Sequence, residues 1–250
     1  MIFYFTATGN SKHIADRIAV ATDERIINIA DCMKNNQVSF SLEDDETLGF
    51  VMPDYYYGIP IIVEEFMRQL NITANNDYYS YAVISCGGSP GSPERQLHRA
   101  YKLDAIFVIA TVGNYVPMYK IVSDTEIKEL LDKAEQETDN VIKKIKSNYK
   151  GSYNPAGNLF TDLITPIVYL IYKNGRKTHK FNTNEKCTGC GLCEQICPRN
   201  VIELENKKPV WKTAQCEECL GCLHRCPTAA INYGKKTAVN GRYINPRVKF

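Results

Sequence analysis

Eight of the ten cysteines stand in two runs of identical spacing, and no other feature of the 250 residues restricts the fold so narrowly. Cys187-x-x-Cys190-x-x-Cys193-x-x-x-Cys197 is followed by Pro198, and Cys216-x-x-Cys219-x-x-Cys222-x-x-x-Cys226 by Pro227. Three thiolates at this spacing can wrap a tight turn around three corners of an iron–sulfur cube, with a fourth thiolate and a proline close behind. Structural zinc also favours Cys-x-x-Cys pairs, but it needs four ligands per ion and usually splits its pairs by a long spacer. The runs form an internal repeat, since Ile202 stands to Cys187 as Ile231 stands to Cys216. Pro209, Val210 and Trp211 predict a strand closing the first half.

Residues 181–250 resemble the bacterial two-[4Fe–4S] ferredoxins. The resemblance implies a small α+β domain holding two [4Fe–4S] clusters, with the fourth cysteine of each run crossing to the other cube. It assigns Cys187, Cys190, Cys193 and Cys226 to one cluster. Cys216, Cys219, Cys222 and Cys197 fall to the other.

Charge divides along the same line. Residues 181–250 hold 11 Lys/Arg against 6 Asp/Glu, and residues 1–180 hold 19 against 22. Two oxidised cubes with their thiolates carry about −2 each and nearly cancel the basic excess. The excess therefore reads as tuning of the clusters and docking of an acidic redox partner, not as a nucleic-acid footprint. Cysteines kept as thiolates imply a reducing compartment. MIFYFTATGN lacks the pattern of a signal peptide, so the expected address is the cytoplasm, and easily oxidised clusters suit an anaerobic host.

At the other end, residues 1–5 read as a buried strand running into Thr6-Ala7-Thr8-Gly9-Asn10-Ser11, with a helix beginning near Ser11. Strand, short Gly/Ser/Thr/Asn turn and helix make a phosphate-capturing unit, because N–H groups at a helix start point outward with partial positive charge. The loop has neither the lysine of a P-loop nor the three-glycine dinucleotide fingerprint, so nothing points to an NAD(P)H site. The plainer reading is that Asn10 or Ser11 merely caps the helix. The loop resembles the phosphate loop of flavodoxins, T-x-T-G-x-S/T, which implies that Thr6, Ala7, Thr8, Gly9, Asn10 and Ser11 surround the phosphate of FMN.

Further strands are predicted over residues 25–30, 47–52, 79–85 and 105–111, alternating with helices. Ligands of such sheets bind at the carboxyl ends of the strands, where the strand order reverses. Three further loops leave those ends and supply candidate flavin contacts: Pro53, Tyr56, Tyr57 and Gly58; Cys86, Gly87, Gly88 and Ser89; and Asn114 with Tyr115. Tyrosines offer flat area to a flavin ring, and Gly58 is expected to permit close backbone approach. Cys86 and Cys32 read as packing. Ser123-Asp124-Thr125-Glu126 is a capping box opening a helix to about residue 148. The flavodoxin resemblance implies an α/β doubly wound, parallel five-stranded sheet of order 2-1-3-4-5 over residues 1–150.

Residues 151–180 form the linker. Its apolar stretch 159–172 contains Pro166 and is too short to span a bilayer. It is expected to be a helix packed on one or both domains, with membrane-surface attachment as the lesser alternative. Residues 173–180 make a basic hinge.

Taken whole, the chain resembles the flavodoxin–ferredoxin fusion proteins. That implies an electron-transfer iron–sulfur flavoprotein passing electrons between the clusters and FMN and on to a redox partner protein. The alternatives are an FMN-dependent reductase of a quinone or nitro compound fed by the clusters, and a cluster-binding sensor or docking module. No catalytic residue is assigned: of His13, His98, His179 and His224, none sits in a catalytic pattern. His224 is expected to tune the second cluster or to be exposed.

Overall fold

Strands form where the chain runs apolar without alternation, as a sheet covered on both faces requires. The computed structural model describes residues 1–155 and 159–250. In chain order its first part comprises β1 (Ile2–Tyr4), α1 (Asn10–Thr22), β2 (Ile26–Asn28), α2 (Ile29–Lys34), β3 (Ser39–Ser41) and β4 (Leu48–Pro53). There follow α3 (Ile61–Gln69), β5 (Asn71–Thr73), β6 (Ser80–Cys86), α4 (Glu94–Ala100), β7 (Ala105–Ala110), α5 (Asp124–Lys146) and β8 (Gly151–Tyr153). Then come α6 (Leu159–Asn174), β9 (Phe181–Thr183), α7 (Leu192–Gln195), β10 (Ile202–Glu205), β11 (Lys208–Trp211), α8 (Gly221–His224) and β12 (Ile231–Tyr233).

Among the described residues, six strands make one parallel sheet in the order β2-β1-β4-β6-β7-β8. Successive side chains point to opposite faces. Phe3, Phe50, Ala82 and Ile84 meet Ile29 and Cys32 of α2, Ile62, Val63, Phe66 and Met67 of α3, and Leu97 of α4. Ile2, Val51, Tyr81 and Val83 lie under Ile14, Ala15 and Ile18 of α1 and Ala134, Val141 and Ile145 of α5. The result is the three-layer, doubly wound α/β architecture.

The sheet has six strands where five are expected. Gly151–Tyr153, assigned above to the linker, extends it by pairing parallel to Ala105–Phe107. Three residues led by a glycine at φ 111° carry too little alternation to betray a strand. The second strand is shorter than expected, because the Asn28 side chain accepts the Ala30 N–H and caps α2 at once. The capping box of α5 is present in both directions, Ser123 to Glu126 and back.

The C-terminal part is built twice over. α7 and α8 occupy corresponding places in the two cysteine runs, and Ile202 and Ile231 each open a strand. β10 pairs antiparallel with β11, and β12 with β9. Phe181 stacks on Trp211 at 4.8 Å and meets Tyr233 edge-on at 4.7 Å. Val116, from the loop after β7, is buried in this same cluster, so the first part of the chain plugs the core of the second.

Candidate functional site

Loops from the carboxyl ends of β1, β4, β6 and β7 open into one cavity of about 490 Å³. Of the residues the sequence singled out for a flavin, Thr6, Ala7, Thr8, Asn10, Ser11, Pro53, Tyr56, Tyr57, Cys86, Gly87, Gly88, Ser89, Asn114 and Tyr115 line it. Gly9 and Gly58 do not.

Gly9 instead turns the chain into α1. Its φ of 102° is open to glycine, and its N–H donates to Thr6 Oγ1 at 3.0 Å. No side chain caps α1, so the plainer reading of Asn10 or Ser11 as a helix cap does not hold. Ser11 Oγ bonds Ser85 Oγ at 2.9 Å, and Asn10 Nδ2 donates to the Val112 carbonyl. The first N–H groups of the helix are thereby left to an outside acceptor. Asn114 Nδ2 donates to Thr8 Oγ1 at 2.7 Å, tying the loop after β7 to the loop after β1.

Gly58 makes room for protein, not for a ligand. A Cβ there would stand 2.4 Å from Gln96 Oε1 and 2.5 Å from Tyr169 of α6. Gly91 does the same for Thr165. Helix α6 thus sits in a seat made by two loops of the first part, with Thr165 Oγ1 accepting the Ser92 N–H and Tyr169 donating to the Ile59 carbonyl. Its Ile164 and Val168 close one wall of the cavity. Tyr56 is stacked on Tyr172 of α6 at 5.3 Å, so that face of its ring is taken by protein. Cys86 is packed, its thiol donating to the Gly88 carbonyl and pushed up to about 12 by burial. Burial likewise pushes Cys32 up to about 11.

The opposite wall comes from the second cysteine run: Glu218, Cys219 and Leu220. Tyr56 and Tyr115 both donate to Glu218 Oε1, at 2.9 and 2.6 Å, and their hydroxyls touch one another. Its neighbour Glu217, 1% exposed, accepts from Tyr172, from the Ile62 N–H and from Arg199. That carboxylate supplies the first turn of α3 with the acceptor that Pro60 cannot provide.

Each set of four cysteines surrounds its own small well. Cys187, Cys190, Cys193 and Cys226 line one, together with Pro227 and Thr228. Cys197, Cys216, Cys219 and Cys222 line the other, with Phe181 and Trp211. The first set is near the surface, Cys190 being exposed, whereas Cys197, Cys216 and Cys222 are buried. Backbone N–H groups reach sulfur in both: Ala230 to Cys226 Sγ at 3.3 Å and Glu218 to Cys216 Sγ at 3.2 Å. Among the described residues no three His, Cys, Asp or Glu side chains close on the geometry of a single metal ion.

Missed entirely by sequence reasoning is the segment after β12. Tyr243 donates to Asn10 Oδ1 at 2.6 Å, Asn245 Nδ2 to the same oxygen at 3.1 Å, and the Asn245 N–H to the Thr8 carbonyl at 2.8 Å. His224 is buried, not exposed. Its Nδ1 accepts the Tyr243 N–H, leaving Nε2 to donate to the Asn114 carbonyl, and burial pushes it down to about 4.

The residues present fit the cofactors that the sequence implies. An uncapped helix start suits a phosphate. Asp54 Oδ1, on a residue of the cavity wall, is closed to water and has no partner among the described residues, and burial holds the carboxyl well above its usual range. Four thiols around each well, with N–H donors to sulfur, suit a cluster.

Comparison with known proteins agrees. The flavodoxin domain family matches residues 1–140, and the 4Fe-4S dicluster domain matches residues 186–231. A ferredoxin-like protein of the nif region from Sinorhizobium fredii is 44% identical over 54 residues, 22% of this chain and 84% of that protein. Ferredoxin-1 of Chlorobaculum tepidum is 39% identical over 56 residues, 20% of this chain and 90% of the relative. The Trp repressor binding protein of Bacillus subtilis aligns over 55% of this chain and 96% of its own, at 14% identity and a TM-score of 0.33, too low to carry an argument. With more than half of its length matched by one family and its cysteine runs by the other, the chain belongs to the flavodoxin family and carries a 4Fe–4S dicluster ferredoxin domain behind it, with FMN and [4Fe–4S] clusters as its cofactors.

Proposed function

We propose that this iron–sulfur flavoprotein moves single electrons between two [4Fe–4S] clusters and FMN, and exchanges them with a redox partner protein. One observation carries the reading: the cavity that collects the flavodoxin loops has a cysteine of the second run, Cys219, in its opposite wall. When bound, the clusters supply one-electron steps and FMN accepts one electron or two. The chain's own residues position them. The loop from Thr6 to Ser11 holds the phosphate, and the three later loops hold the ring. Cys197, Cys216, Cys219 and Cys222 hold the inner cluster against the cavity, while Cys187, Cys190, Cys193 and Cys226 hold the outer cluster where a partner can reach it. No side chain is needed as nucleophile or general base. Joining both carriers in one chain raises the effective concentration of each at the other.

The test is an anaerobic redox titration followed by visible absorption and EPR, together with iron, sulfide and flavin analysis. About eight irons and one FMN, with flavin and cluster signals both titrating, are expected. Eight irons with no flavin taken up after FMN is added would overturn the reading.

A further inference from the structure

Helix α6 is inside out. Thr161, Thr165, Tyr169 and Tyr172 face inward, while Leu159, Leu163, Ile167, Leu170 and Ile171 are 89, 78, 66, 58 and 60% exposed. Leu159, Leu163, Ile167 and Ile171 recur at every fourth position and Leu170 stands three after Ile167, which puts these five on one stripe. A helix at a protein surface ordinarily turns such a stripe to the core. This one cannot roll over, because its polar face is bonded: Thr161 to Ser89, Thr165 to the Ser92 N–H, Tyr169 to Ile59, and Tyr172 to Glu217.

We propose that this stripe docks the protein on an anionic membrane surface, a role beyond electron transfer and independent of it. Length restricts the mode of contact: α6 has 16 residues, and no helix among the described residues is long and apolar enough to cross a bilayer. A helix tied down along one face can only lie in the interface plane. Charge identifies the lipid. Lys173, Arg176, Lys177 and Lys180 follow the stripe, and no acidic residue occurs from 163 to 184. Lys173 and Lys180 are exposed. Cations at the rim of an aliphatic strip match anionic headgroups above acyl chains. Apart from Phe160, 67% exposed, the apolar side chains of this face are aliphatic, without the tyrosine, tryptophan or arginine that anchors protein interfaces. A fluid acyl layer needs no such anchor. Ile164 and Val168, on the inner side of the same helix, line the flavin cavity. Docking therefore sets that cavity about one helix diameter, roughly 10 Å, from the lipid.

The experiment is co-flotation of the cofactor-loaded protein, under anaerobic conditions, with vesicles of phosphatidylcholine alone or mixed equally with phosphatidylglycerol. Binding to the mixed vesicles, weakened by salt, is expected. Leu163→Glu with Ile167→Glu changes two exposed side chains, so the visible spectrum should persist while vesicle binding falls at least tenfold. Removing Lys177 and Lys180 by substitution with Gln should weaken binding about fivefold each. Absence of flotation, equal binding to neutral vesicles, or undiminished binding of the Leu163→Glu/Ile167→Glu protein would overturn the proposal. So would a dimer, seen by sedimentation, that this double substitution abolishes while the wild-type protein ignores vesicles.

Discussion

Replacing Glu218 with glutamine should raise the reduction potential of one cluster far more than that of the other. The two cysteine runs are not electrostatic copies: where the first has Thr188 and Gly189, the second has Glu217 and Glu218. Glu217 is matched by the guanidinium of Arg199 at 2.8 Å. Glu218 has no such cation among the described residues: its carboxylate meets the hydroxyls of Tyr56 and Tyr115 beside the inner cluster. Its backbone reports a cost for being there. Position 218 has φ 52°, as Gly189 has φ 71°, a conformation that is routine for glycine and strained for glutamate. The Glu218 N–H lies 3.2 Å from Cys216 Sγ, and a glutamate carboxylate reaches roughly 5 Å from its own backbone nitrogen. The charge thus stands within roughly 8 Å of a cluster ligand. At an effective dielectric of about 20 that is worth about 2 kcal/mol, or about 90 mV for one electron. Glutamine keeps an acceptor for Tyr56 and Tyr115, so the shift reports charge and not collapse. An anaerobic EPR titration should show one [4Fe–4S] step rise by about that amount and the other by less than about half of it. Two steps that stay put, that fall, or that rise together would refute the argument.

Three further outcomes follow from the same contacts. Arg199→Ala leaves the buried Glu217 without its cation but with Tyr172 and the Ile62 N–H, so a loss of about 3 kcal/mol is expected in anaerobic denaturation. Arg199→Lys should recover only part of it. Tyr243→Phe and Asn245→Ala each remove a hydrogen bond to Asn10, and each should weaken FMN binding about two- to tenfold in a fluorescence titration while iron content is unchanged. Cys226→Ser should remove the cluster of Cys187, Cys190 and Cys193, although it belongs to the second run. About half the iron should be lost, and the inner cluster's EPR signal retained.

What the sequence disclosed were the features whose chemistry is local. The cysteine runs, the Thr6–Ser11 loop and the buried strands each declare themselves within a dozen residues, and the loops at the strand ends do converge on one cavity. What stayed hidden depends on residues far apart in the chain. Nothing near Gly58 signals that Tyr169 will pack against it, and nothing near Asn10 signals Tyr243. A tyrosine loop suggests ring stacking, but only the fold shows that Tyr172 already covers one face of Tyr56. The short strand Gly151–Tyr153 is formed by the edge it joins, not by its own pattern. The apolar stretch of α6 is plain in the sequence, but hydrophobicity alone cannot say which face the polar residues will claim.

The segment around Tyr243 and Asn245 bears on how freely these two carriers can be exchanged by recombination. Its bonds run from behind the second cysteine repeat to the loop that opens the whole chain. A foreign ferredoxin spliced in at the linker could bring its clusters intact and still leave Asn10 and the Thr8 carbonyl without their partners. The halves are therefore not portable cassettes. A transplant that is to keep its full affinity for flavin should carry this strap with it.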